Sequence, residues 1–124
     1  MLVIRKEQMA ALSGCARLDF ERRMVAHIER CWRERSRLLG VQAVLESVRQ
    51  AVERCTRYGI TLEYDVARFI DLMYALDLDF DTSPRWPWAA PIVRDQHLDG
   101  HAKVDRLWRA AWYELEARRI AHGR

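Results

Sequence analysis

The stretch DFDTSPRWPWAAP (residues 79–91) contains all three prolines and two of the five tryptophans of the chain. Proline lacks the backbone N–H that a helix needs and disfavours the helical conformation in the residue before it. The stretch therefore predicts an irregular connection, here called the Pro/Trp tract, in a chain whose other segments are amphipathic. A long connection in a small domain is usually functional or disordered, and large aromatic side chains favour an anchor on a core or a partner over disorder.

Two helices are predicted at the start of the chain, where apolar residues recur at three- and four-residue spacing. The first covers about residues 6–38, with Gly14 as the position at which we expect it to bend or split. The second covers about residues 41–58. Gly59 and apolar Ile60 follow it, a pair that is typical of a left-handed helix end.

A third helix is predicted from Thr61, its expected N-cap, to about Asp77, and a last helix covers about residues 101–121. One further helical turn is expected at about residues 91–94. The predicted buried face of the last helix consists of Val104, Leu107, Trp108, Ala111, Trp112 and Leu115. We therefore predict one all-α domain over residues 1–124, a bundle of about four helices with the long Pro/Trp tract between the third and last helices.

The composition predicts a cytoplasmic protein that needs neither a disulfide nor a metal to fold. Half of the 124 residues are hydrophobic, but no apolar run is long enough to span a bilayer or to act as a secretory signal. The three cysteines, an odd number at irregular spacing, are expected to be reduced thiols. We expect no membrane association.

The positive charge does not indicate a nucleic-acid partner. The net charge is +3, and nearly all cations are arginines interleaved with acids along the chain. Nucleic-acid binding needs arginines gathered on one face among aromatic residues, and no such grouping is visible. Arginine also pairs with carboxylates and stacks on aromatic rings, which suits protein interfaces.

None of the candidate chemical motifs is complete. Asp77, Asp79 and Asp81 alternate like the start of a calcium loop, but Thr82 occupies the position of the required glycine and Trp88 that of the bidentate glutamate. We interpret these acids as helix-end and turn residues.

The histidines likewise predict no reactive site. His97 and His101 could share a metal on a helix, yet no third ligand is specified, so we predict no metal and no cofactor. His27 and Cys31 lie four residues apart on one helical face. A catalytic pair would also need an orienting acid and an oxyanion donor, so the expectation is a buried thiol beside a satisfied histidine, and no enzyme.

Tryptophan and arginine supply the candidate binding residues. The rings of the Pro/Trp tract either fold back to close one end of the bundle or form an exposed anchor with Arg85, since both residue types are enriched at interface hot spots. The tryptophans of the last helix are either core or docking surface. The candidate partner-binding residues are Arg85, Trp86, Trp88, Trp108 and Trp112.

Several separated segments carry a family resemblance: IRKEQM at residues 4–9, FERRMVAH at 20–27, YGIT at 58–61, and FDTSP at 80–84 with Trp88-Ala89 after it. Together they resemble small bacterial proteins encoded beside effectors of the type VI secretion system, which commonly accompany an adaptor that loads the effector. The resemblance covers roughly residues 3–95. It implies a non-catalytic, cytosolic co-adaptor or chaperone-like helper that binds a secretion adaptor or effector.

A second hypothesis is an immunity protein that occludes the active site of a cognate toxin. Such inhibitors often present acidic groups to a basic site. The acids near the Pro/Trp tract that could do so are Asp77, Asp79, Asp81, Asp95 and Asp99. Self-association through a tryptophan face would involve the same aromatic residues, so the sequence leaves the oligomeric state open.

Overall fold

A computed structural model describes residues 14–122 of the chain, and these residues form six helices without a strand. The prediction of an all-α protein is confirmed, although six helices replace the expected four. In chain order they are α1 (Gly14–Cys31), α2 (Arg33–Leu39), α3 (Val41–Arg57), α4 (Glu63–Ala75), α5 (Ala89–Val93) and α6 (Gly100–His122). None of these helices is long and apolar enough to cross a membrane.

Helix α4 lies at the centre of the bundle. It contacts α1, α3 and α6, and eight of its 13 residues are buried. Phe69 of α4 packs with its ring 5.0 Å from that of Phe80, which comes from the Pro/Trp tract. The tract therefore contributes to the core as well as connecting helices.

Within the described residues the predicted first helix is broken at Trp32. Gly14 is the first described residue of α1, so the bend or split expected there stays a prediction. Trp32 departs from helical geometry with φ −123° and ψ 50°. Its indole N–H donates to Asp71 on α4 over 3.0 Å, so the kink lies where the side chain turns from its own helix towards α4. The predicted residues before Gly14 lie outside the described part of the chain.

The end of α3 was predicted correctly. Gly59 has φ 77°, its N–H donates to Thr56 O over 3.2 Å, and the N–H of buried Ile60 donates to Cys55 O over 2.8 Å. These are the two hydrogen bonds of a Schellman closure. The predicted cap of the next helix was wrong by one residue, because Leu62 and not Thr61 precedes the first turn of α4.

The first turn of α6 packs directly on this helix end, in what we call the α3–α6 junction. A Cβ on Gly100 would lie 2.2 Å from Gly59 O, so no larger residue fits there without movement of the backbone. Lys103 is buried, and its ammonium donates to the carbonyl of Tyr58 over 2.8 Å. A cation at the C-terminal end of a helix also interacts favourably with the helix dipole.

The Pro/Trp tract is ordered by hydrogen bonds within it and by a buried carboxylate. Its turns are closed by backbone bonds such as Trp86 N–H to Ser83 O over 3.2 Å. Asp81, only 1% exposed, accepts hydrogen bonds from Arg54 and from the hydroxyl of Tyr58, both at the end of α3. Burial, together with the bond to Asp81, raises the pKa of Tyr58 to about 12. The tract is thus tied to α3 through one carboxylate.

Candidate functional site

Trp86 closes the bundle and is not an exposed anchor. The residue is 3% exposed, and its indole N–H donates to Asp77 over 2.7 Å. Two guanidinium groups stack on its ring, that of Arg85 at 5.5 Å and that of Arg118 at 4.5 Å. Of the two roles that the sequence leaves open for this ring, the structure shows the first.

The other two candidates of the tract differ in exposure. Trp88 is half-buried and packs edge-on against Trp86 with ring centroids 6.3 Å apart. Its buried Nε1 has no hydrogen-bond partner among the described residues. Arg85 is exposed but is already paired with Asp77 over 3.2 Å. Because Trp86 and most of Trp88 are covered and Arg85 already has a counter-charge, the tract is a weaker docking candidate than the sequence predicted.

Helix α6 exposes the aromatic residues that were predicted to be buried. Only Lys103, Val104, Leu107 and Ala111 of this helix are buried. The helix has 23 residues, whereas α4 and α5, the helices that it contacts, have 13 and five residues. At about 1.5 Å per residue, α6 is about 34 Å long and α4 about 20 Å, so the neighbouring helices cannot cover its second half.

The exposed side chains of this second half define what we call the aromatic face. Trp112 and Tyr113 are 59% and 63% exposed, with their rings edge-to-face at 5.2 Å. Leu115 and Ile120 extend the apolar surface along the helix. A cluster of large exposed apolar side chains on one helix is typical of an interaction surface.

Trp108 connects the aromatic face to a groove between α1 and α4. Its indole N–H donates to the carbonyl of Arg68 over 3.1 Å, and the Arg68 guanidinium lies 5.7 Å from its ring. One helical turn further on is Trp112. The groove has a volume of about 720 Å³. Its lining residues are Phe20, Arg23, Met24, His27, Arg30, Glu63, Tyr64, Ala67, Arg68, Asp71 and Trp108.

The charge beside the aromatic face is positive and uncompensated. Arg106 and Arg109 are exposed on α6, and neither forms an ion pair with a described residue. On a helical projection they lie close to Tyr113, since Arg109 precedes it by four positions and Arg106 by seven. The surface thus combines aromatic, aliphatic and arginine side chains.

The acids expected to serve an immunity protein are mostly used within the fold. Asp77 and Asp81 hold the Pro/Trp tract as described above. Asp95 and Asp99 each accept a backbone N–H from a residue just after them, at 2.9 and 2.8 Å. Asp79 alone of the five has no side-chain partner in the described chain. The acidic surface on which that hypothesis depended is therefore small.

The two histidines considered as metal ligands have separate environments. His101 Nδ1 donates to the buried carboxylate of Asp65 over 2.9 Å, and its Nε2 lies 3.5 Å from Asp105. His97 contributes only its backbone N–H to a described hydrogen bond. No group of three or more potential ligands able to hold a metal is found between residues 14 and 122.

The contact between His101 and Asp65 predicts a pH-dependent stability. The hydrogen bond to Asp65 raises the pKa of His101 above its ordinary 6.5. Because the pKa is higher in the folded state than in the unfolded state, protonated His101 stabilises the fold. This stabilisation is complete at a pH below the unfolded-state pKa and is lost as the pH rises through the folded-state pKa. The melting temperature should therefore fall on replacing His101→Gln, and fall more at about pH 5.5 than at about pH 8.5.

The matched control is His97→Gln, which removes an exposed imidazole without an ion pair in the described chain. At about pH 5.5 this control should lower the melting temperature by less than His101→Gln does. An equal loss for His101→Gln at both pH values would contradict the prediction.

His27 and Cys31 prove to have the orienting acid that the sequence did not reveal. His27 Nδ1 lies 3.6 Å from Cys31 Sγ, and its Nε2 lies 2.8 Å from Asp71 Oδ1. Cys31 is exposed, contrary to the expectation of a buried thiol. Asp71 comes 44 positions after His27 and becomes adjacent to it only through the packing of α4 on α1, so no local pattern could indicate it.

Comparison of this chain with protein families, with characterised proteins and with solved structures found no match.

Proposed function

We propose that this protein is a non-catalytic accessory factor that binds another protein through the aromatic face of α6. The exposed Trp112–Tyr113 pair carries the proposal. The two large aromatic rings are exposed by 59% and 63% on the uncovered second half of α6, and they lose apolar hydration when a partner covers them. The family resemblance of the sequence makes a type VI secretion adaptor or effector the proposed partner, bound in the cytoplasm.

The chemistry of the surface defines the partner further. Tryptophan, tyrosine and arginine are the residue types most enriched among interface hot spots, and the face carries all three. Arg106 and Arg109 would pair with carboxylates, so the partner should present apolar residues flanked by acids. Trp108 extends the same surface into the α1–α4 groove. A co-adaptor of this kind would bind its client without catalysing a reaction on it.

The test is to isolate tagged protein from its native cytosol and to identify co-purifying chains by mass spectrometry. We expect an adaptor or effector in near-stoichiometric amount. Trp112→Ala should then weaken binding of the purified partner by about 30-fold or more, as expected for a hot spot worth 2 to 4 kcal/mol. Isothermal titration calorimetry with both purified proteins measures this change.

Leu38→Ala provides the matched control, because Leu38 is 85% exposed on α2 and should not affect the affinity. Equal affinities for wild type and Trp112→Ala would contradict the proposal that α6 is the docking surface. A monodisperse homo-oligomer without any partner would instead assign the aromatic face to self-association. Neutralisation of a toxin with strong salt dependence would favour the immunity function.

A further inference from the structure

The end of α1 holds a cysteine, a histidine and an aspartate in the order of a thiol activation site. Two contacts link these side chains. Cys31 Sγ lies 3.6 Å from His27 Nδ1, and the Nε2 of the same ring lies 2.8 Å from Asp71 Oδ1. The first pair comes from one helix face, at positions i and i+4. The acid comes from α4, which packs against α1.

The acid determines which ring nitrogen of His27 carries hydrogen. An ionised carboxylate can only accept, so in the neutral ring the Nε2 of His27 donates to Asp71 and Nδ1 keeps a free lone pair facing the thiol. Asp71 is itself held in place, because its Oδ1 also accepts the indole N–H of Trp32 over 3.0 Å. The ring is therefore presented to Cys31 as a base.

The thiol is accessible to a reagent from solution. Cys31 is exposed at the last residue of α1, whereas Cys55 is buried in the core. A thiol at the C-terminal end of a helix gains no help from the helix dipole in becoming a thiolate. Among the described residues, His27 contacts the sulfur and can assist it.

We propose that Cys31 is a modification site, a nucleophilic thiol that undergoes exchange with small disulfides under the control of His27 and Asp71. This inference is independent of the proposed function, since neither the aromatic face nor a partner takes part. The reaction is stoichiometric and needs no other co-reactant. The disulfide is the oxidant, and one of its two halves leaves as a thiol.

The exchange proceeds by transfer of the thiol proton of Cys31 to His27 Nδ1. The thiolate attacks one sulfur of the disulfide, the S–S bond of the reagent breaks, and a new bond joins Cys31 Sγ to the attacked sulfur. The departing thiolate takes the proton from the imidazolium ring. Asp71 stabilises that imidazolium while it exists and acts as a positioning residue, because it contacts His27 and not the reacting sulfur atoms.

The test uses the full chain, with glutathione disulfide as the probe and peptide-resolved mass spectrometry as the readout near neutral pH. Mixed disulfide should form on Cys31 and not on Cys55, whose thiol has its pKa raised by burial. His27→Gln should slow the reaction at Cys31 by about tenfold or more, the scale of an assisting base. The matched control His97→Gln should leave the rate unchanged.

Asp71→Leu tests the positioning role by a readout that a general loss of packing does not produce. Nitrogen-15 NMR of the imidazole should show the Nε2–H tautomer of His27 in the wild type and a shift towards Nδ1–H in the variant. The rate at Cys31 should fall with it, while far-ultraviolet circular dichroism stays unchanged. A rate for His27→Gln within about twofold of wild type would overturn the proposal and leave the thiol as an ordinary surface cysteine.

Discussion

Replacing Asp81→Asn is expected to lower the free energy of unfolding by about 3–5 kcal/mol, the usual effect of removing one partner of a buried ion pair. The carboxylate is buried, and the variant leaves the Arg54 guanidinium, whose side chain is only 15% exposed, without its counter-charge. The Tyr58 hydroxyl would also lose its charged acceptor. Urea denaturation followed by circular dichroism measures the change.

Asp79→Asn is the matched control for this prediction, because it makes the same substitution two residues earlier on an exposed side chain. It should change the free energy of unfolding by less than about 0.5 kcal/mol. A double-mutant cycle with Arg54→Gln should show strong coupling to Asp81. Similar small effects for both aspartates would mean that the carboxylate of Asp81 is not an essential tie between the Pro/Trp tract and α3.

Trp86→Ala is expected to destabilise the protein by about 3–5 kcal/mol, as measured for large aromatic truncations in cores. The ring is 3% exposed, and its removal also leaves the Asp77 carboxylate without the indole donor. The guanidinium of Arg118, stacked on the ring at 4.5 Å, would lose one of the contacts between α6 and the tract. Since a small domain is stable by only about 5–15 kcal/mol, this loss is a large fraction of the total.

The control is the same substitution at Trp112, which is exposed and should leave the urea midpoint almost unchanged. Trp86→Ala should lower the free energy of unfolding, whereas Trp112→Ala should lower the affinity for the partner. The two variants therefore distinguish the structural tryptophan from the proposed docking tryptophan. A loss below about 1 kcal/mol for Trp86→Ala would show that its ring is not part of the core.

Local signals in the sequence predicted local structure well. Gly59 and Ile60 define the end of α3 because the left-handed conformation and the apolar residue after it are properties of two adjacent positions. Helix existence followed in the same way from periodic apolar residues. Trp112 shows the limit of periodicity. Its spacing from Leu107 and Trp108 identifies an amphipathic helix, but the length of the neighbouring helices decides whether its ring is covered.

Long-range contacts account for the other differences. Asp81 was interpreted as a turn residue, yet its partners Arg54 and Tyr58 come 27 and 23 positions earlier, from the far end of α3. Asp71 joins His27 across 44 positions for the same reason. The acids of the chain resemble one another in sequence, and only the packing of α3 and α4 distinguishes a core carboxylate from a solvated one.

The α3–α6 junction has a consequence for the aromatic face at the other end of the helix. Gly100 allows the backbone of α6 to rest on that of Gly59, and Arg118 stacks on Trp86 near the opposite end, so α6 is held at two distant points. A helix fixed in this way presents its side chains in one orientation before any partner arrives. Because α6 is already ordered in the folded protein, binding a partner does not cost the entropy of ordering a flexible segment. A larger part of the free energy of the contacts then contributes to the affinity.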